Sequence, residues 1–196
     1  MRWTIIAALV SAAACTQDVE PPARLLYETF DEPCDGLPCG YSQTMGPPGA
    51  ALYGPGFHPG DGALTLRGNS TAVTGPGGES LQSGIDGLSL GTLEARVFGR
   101  CDSGDSIRLS AVIRHTSTSG VETEDIFDGR AILASDWTTD EPIPISASSV
   151  LDPMSPFSQF SIDPLQVDRV LLEKTGSGEC SISTLIIGRR DQTLTR

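Results

Sequence analysis

The stretch Ser106–His115, SIRLSAVIRH, alternates strictly: Ile107, Leu109, Ala111 and Ile113 point one way, and Arg108, Ser110, Val112 and Arg114 the other. A period of two is that of an extended strand, whose successive side chains stand on opposite faces, so this segment has one apolar face and one wet face. TLEARVF repeats the pattern, with Leu93, Ala95 and Val97 opposed to Glu94, Arg96 and Phe98. LLYETF, ALTLRG, STAVT, FSQFSI, DRVLLEK and CSISTLIIG read the same way, separated by turn-formers such as HPGDG, GPGGE, STSG and KTGSGE. No segment of ten or more residues keeps a helical face, and Gly 22 with Pro 14 in 196 residues would interrupt helices every few positions. The expectation is an all-β, antiparallel β-sandwich with little or no helix, formed as one domain over residues 25–190 and followed by a short tail, 191–196. Residues 42–62, rich in Gly and Pro, and 135–156 break the alternation and read as long loops, either ligand-carrying or plain crossings between sheets.

The chain opens Met1-Arg2-Trp3-Thr4, then IIAALVSAAA, then Cys15. A basic start, a short apolar run and small residues before a cut site describe a secretory signal over residues 1–14. SAAAC resembles the lipobox of bacterial lipoproteins, with Ala12 where Leu is usual, and this resemblance implies that Cys15 becomes the lipid-bearing first residue. Residues 15–24 would then tether the domain to a membrane of the bacterial cell envelope, at the outer membrane or cell surface. The cysteine count agrees: without Cys15, four remain, Cys34, Cys39, Cys101 and Cys180, an even set suited to an oxidising compartment. Of the three possible pairings we expect Cys34 with Cys39, closing a Gly/Pro turn, and Cys101 with Cys180, tying a mid-chain strand end to the start of the last strand. Cys34 and Cys39 could also form half of a zinc site, but the other cysteines are distant and His58 and His115 stand alone.

A formal charge of −12 argues against nucleic acid, which demands a Lys/Arg stripe, and against direct binding to anionic lipid. The order of elements from 25 to 188 resembles the jelly-roll sandwiches of carbohydrate-binding modules and galactose-binding-like domains: a first strand ending in YETFDE, a Gly-rich turn and strand in HPGDGALTLRG, and a closing hairpin, DRVLLEKTGSGECSISTLIIG. This resemblance implies a non-enzymatic module with carbohydrate as partner. It also implies a structural calcium held by Glu28 or Asp31 and the turn containing Asp61, although the last strand offers Ser181 and Ser183 where an aspartate is wanted; no other cofactor is expected. Sugar binding relies on aromatic rings that stack on pyranose faces. Trp137, in the polar stretch ASDWTTD, Tyr53 and Tyr41 are the candidate binding residues, with Arg67, Arg114 and His115 as polar helpers. A lone tryptophan in a sandwich fills a core as readily as it forms a platform, and both readings stand at this point.

Two enzymatic readings compete. VETEDIFDG resembles the acidic strand of laminarinase-type jelly-roll glycoside hydrolases, which makes Glu122 and Glu124 the alternative catalytic pair. Residues two apart on a strand share a face and lie about 7 Å from each other, near the separation that paired-carboxylate hydrolysis uses. The competing reading is a solvated edge strand whose charges oppose aggregation. Gly87-Leu88-Ser89-Leu90-Gly91 matches a nucleophile elbow in letters only, because a strand pattern, not a helix, follows it. A third function class is an interaction subunit of an envelope complex that uses a sheet face to bind protein.

Overall fold

The computed structural model describes residues 24–77, 93–117, 122–137, 143–144, 146–147 and 161–189. The proposed signal, Cys15, most of the tether, the Gly87–Gly91 motif and residues 157–160 of FSQFSI lie outside these. Every regular element described is a strand: β1 (Arg24–Glu28), β2 (Pro33–Cys34), β3 (Leu37–Pro38), β4 (Ser42–Met45), β5 (Ala51–Pro55), β6 (Gly62–Arg67), β7 (Thr71–Pro76), β8 (Leu93–Cys101), β9 (Ser106–Ser117), β10 (Glu122–Ala131), β11 (Ile143–Pro144), β12 (Ser146–Ala147), β13 (Ser161–Thr175) and β14 (Glu179–Arg189). Residues 42–62, expected as loop, contain β4 and β5, so that expectation is corrected.

Two antiparallel sheets form the sandwich. The first has the order β11-β8-β14-β6-β5, and β1 also pairs with β14, beside the final stretch of that strand. The second has the order β12-β10-β9-β13-β7-β4, and β2 and β3 form a separate small ribbon. Ala95 and Val97 of β8, Leu64 and Leu66 of β6, and Ile182, Leu185 and Ile187 of β14 supply one inner face. Ile107, Leu109, Ala111 and Ile113 of β9 meet them from the other sheet, with Val73, Val167, Val170 and Leu172. The alternation of SIRLSAVIRH and of Ala95 and Val97 is therefore realised as burial, as the hydrophobic effect requires of a two-layer fold.

The expected closing hairpin is not one. β13 lies in the second sheet and β14 in the first, so KTGSGE carries the chain across the sandwich instead of folding it back within one sheet. The crossing is held by a buried ion pair: Lys174 Nζ lies 2.9 Å from Asp105 Oδ2 and donates to the carbonyls of Gly68 (3.1 Å) and Gly176 (2.6 Å). Gly176 is required there, since its φ is +103° and a Cβ would fall 1.8 Å from Asp105 Oδ1. Asp102 adds a second clasp by accepting the Glu179 amide at 2.7 Å. Both expected disulfides are present, Cys34–Cys39 and Cys101–Cys180. Cys101 and Cys180 are direct cross-strand neighbours on β8 and β14, which is why the bond ties the middle of the chain to its last strand.

Candidate functional site

Phe98 is the exception to the simple pattern of β8. It faces away from Ala95 and Val97, yet it is 2% exposed and lies outside the main core cluster. Two irregular segments cover it. The turn between β5 and β6 carries Phe57 and His58 and is closed by Gly56 N to Asp61 O (2.8 Å) and Asp61 N to His58 O (3.0 Å). The segment leaving β10 runs beside the end of β8, where Ala134 O accepts the Cys101 amide at 2.9 Å, and so delivers Trp137 to the same face.

The result is a connected group of rings on the outer side of the first sheet. Trp137 sits 5.3 Å from Phe98 and 6.0 Å from Phe57, centroid to centroid, at interplanar angles of 37° and 43°. Phe57 meets Phe98 edge-on at 5.4 Å and His58 at 4.5 Å. Tilted and edge-to-face pairs at these distances are favourable, so Phe98 acts as a buried base that fixes the two rings above it. Trp137 and Phe57 are half-buried and His58 is exposed, so the group forms a platform with a wet side. Thr184, the cross-strand neighbour of Phe98, is fully buried and its hydroxyl has no hydrogen-bond partner.

The other two expected binding residues, Tyr41 and Tyr53, make contacts within the fold. Tyr41 is buried, with its ring 5.2 Å from Phe30 and so close to Gly75 that a Cβ there would lie 2.2 Å from Tyr41 Cε1. Burial, followed by the nearby Glu28 charge, pushes its phenol well above the ordinary range. Tyr53 is half-buried against Gly62, and its hydroxyl donates to the Asp31 carbonyl at 3.2 Å. Sequence reasoning chose these two and missed Phe57, His58 and Phe98. The available signal was Phe98 itself, a large ring placed among the outward positions of a half-buried strand.

Of the expected calcium set, Asp31 lies beside the turn containing Asp61. Glu28 Oε1 accepts the Phe30 amide at 2.9 Å and Asp31 Oδ1 accepts the Gly62 amide at 2.9 Å, so both carboxylates serve the backbone. Ser183 Oγ, where an aspartate would stand, donates to Gly62 O at 3.4 Å. Among the described residues no three His, Cys, Asp or Glu side chains converge as metal ligands. Glu28 and Asp31 instead line a cleft of about 340 Å³ with Thr29, Glu32, Pro38 and Cys39. Burial raises the Glu28 carboxyl above its usual range, against the lowering effect of the Phe30 and Thr29 amides, and the charges of Asp31 and Glu32 raise it further.

Glu122 and Glu124 stand two residues apart on β10. Glu124 is exposed and pairs with Arg114 at 3.4 Å; the Glu122 side chain lies outside the description. On the same face the Arg108 hydrogen bond, as the largest cause, holds the Asp128 carboxyl below its ordinary range. Arg67, an expected polar helper, is engaged by Glu179 at 2.7 Å, and Arg114 bridges to Asp168 at 2.7 Å.

No family model matches the chain, and no curated protein matches it. Solved structures with a similar course of chain include carbohydrate-binding modules of Clostridium thermocellum. A family 11 module in complex with a β-1,3-1,4-mixed-linked tetrasaccharide is 15% identical, with 86% of this chain and 97% of that one covered and a TM-score of 0.42. The C-terminal family 22 module of xylanase 10B is 11% identical, over 88% and 96% of the two chains, with a TM-score of 0.41. In the third, the N-terminal family 22 and catalytic modules of the same xylanase with xylohexaose, the chain is 9% identical, 89% covered, and spans only 30% of the length of its counterpart, at a TM-score of 0.39.

Proposed function

We propose that this protein is a non-catalytic carbohydrate-binding sandwich, exported and tethered to the bacterial envelope through Cys15, that engages sugar on the Trp137–Phe57 platform. The observation that supports this is the half-buried indole held over a buried Phe98 on the outer side of the first sheet. A ring fixed in this way offers flat apolar area at little entropic cost, which is what stacking on a pyranose requires. The chain's charge of −12 favours uncharged glycans over polyanionic ones.

The test is a titration of soluble neutral polysaccharides followed by tryptophan emission, since Trp137 is the sole tryptophan beyond the signal region. Binding should shift the emission, and Trp137→Ala with Phe57→Ala should weaken affinity by about 10- to 100-fold, measured by calorimetry. Affinity unchanged in the double variant would overturn the site. Mass spectrometry of the mature N-terminus tests the anchor: a lipid-modified Cys15 is expected, and an unmodified or different first residue would refute it.

A further inference from the structure

The aromatic platform shares the outer side of the first sheet with a second exposed ring. Leu26 and Ile187, which pair across β1 and β14, both enter the core, so their neighbours Tyr27 and Ile186 turn outward. Arg96 faces Ile186 from β8, between the inward Ala95 and Val97. Tyr27, Ile186 and Arg96 therefore form one outward row across three strands, and Thr184 with Phe98 forms the next row along β14 and β8.

Of the large hydrophobic residues that are exposed among those described, Tyr27, at 44%, is the one aromatic; Met45, Ile126, Ile132 and Leu171 are aliphatic. A single exposed ring needs no explanation by itself, but this one stands on the face that carries Trp137 and Phe57. Arg96 lies on the same row, its guanidinium oriented by a hydrogen bond to Glu94 Oε1 and its side chain 26% exposed. Ile186 and Thr184 are closed to solvent, so a ligand crossing here meets the rings and the guanidinium and not the strand residues between them.

We infer that Tyr27 is a second sugar-stacking station, and that the ligand is an oligosaccharide lying across β8, β14 and β1; this rests on the platform reading given above. Tyr27 and Phe98 are two strands and two residues apart, which puts their backbones about 12 Å from each other. A single pyranose does not reach both stations, whereas a chain of several does. The tyrosine ring turns on only two side-chain torsions, so holding it against a sugar face costs little entropy. Arg96, a donor with no acceptor atoms, would hydrogen-bond to the hydroxyls of the sugars that lie between the stations. Once one end of the chain is stacked on Trp137, the contact with Tyr27 becomes intramolecular, so affinity should climb with chain length.

Calorimetry on the full chain with cellohexaose, laminarihexaose and xylohexaose, and with the matching disaccharides, tests this. The wild type should bind a hexaose at least about tenfold more tightly than its disaccharide, a comparison that needs no variant. Tyr27→Ala should remove most of that gain while leaving the disaccharide affinity within about twofold, whereas Trp137→Ala should weaken both ligands. Tyr27→Phe keeps the ring and should keep the gain, and thermal unfolding of both Tyr27 variants should match the wild type, which separates lost contact from lost fold. Equal affinity for disaccharide and hexaose, or a gain that survives Tyr27→Ala, would overturn the inference and leave the platform standing. A wild type that binds none of the three hexaoses would also overturn it, and the platform itself is judged by the polysaccharide titration.

Discussion

Lys174 Nζ and Asp105 Oδ2 meet 2.9 Å apart, with both side chains closed to solvent, at the point where the chain passes from the second sheet to the first. A pair in this position stabilises only while it is complete, because either charge alone would be left buried. Asp105→Ala should therefore destabilise the fold by about 3–5 kcal/mol, and Lys174→Met by a similar amount. Lys174→Met combined with Asp105→Leu should recover part of that loss, which a double-mutant cycle of urea unfolding would show as strong coupling.

The two disulfides should contribute unequally. Cys101–Cys180 closes a separation of 79 residues and Cys34–Cys39 one of 5. Chain entropy gives about 4 kcal/mol for the first and about 2 kcal/mol for the second. Cys101→Ala with Cys180→Ala should accordingly lower the urea midpoint more than Cys34→Ala with Cys39→Ala.

Phe98 and Trp137 touch, yet they should respond differently to truncation. Phe98→Ala empties a closed site and should cost about 3–5 kcal/mol. Trp137→Ala removes a half-wet ring and should cost about 1–2 kcal/mol, so a folded variant remains for the binding assay. Equal losses at the two positions would show that Trp137 is core and not platform.

Glu28 and Asp128 should pull stability in opposite directions with pH. The folded state raises the Glu28 carboxyl above 4.5, so it binds protons more tightly than the unfolded chain and its cost grows as pH rises through that window. Glu28→Gln keeps an oxygen for the Phe30 amide and should raise the melting temperature at neutral pH while leaving it nearly unchanged at acid pH. Asp128 is lowered from 3.8, so its contribution is present above that value and is lost as pH falls below it. Asp128→Asn should weaken the fold at neutral pH and flatten the acid limb of the stability curve.

The Phe98 position also shows how far local pattern reaches. Alternation along β8 and β9 was enough to assign Ala95, Val97, Ile107, Leu109, Ala111 and Ile113 to one side, because a strand's period is a local property of its backbone. Compartment and count left three cysteine pairings open, and the structure holds the one expected. The same pattern could say that Phe98 pointed away from the core but not that two loops would bury it there.

Sequence by itself determined the class of fold and the two faces of strands such as β8 and β9, because both follow from backbone periodicity. Only the tertiary structure decided that KTGSGE crosses between sheets, with Lys174 finding Asp105 across 69 positions, and that Tyr41 enters the core. It also brought Phe57, Phe98 and Trp137 together from three distant segments. Contacts between segments far apart in the chain depend on how the two sheets stack and where their loops fold back, and no local period encodes that.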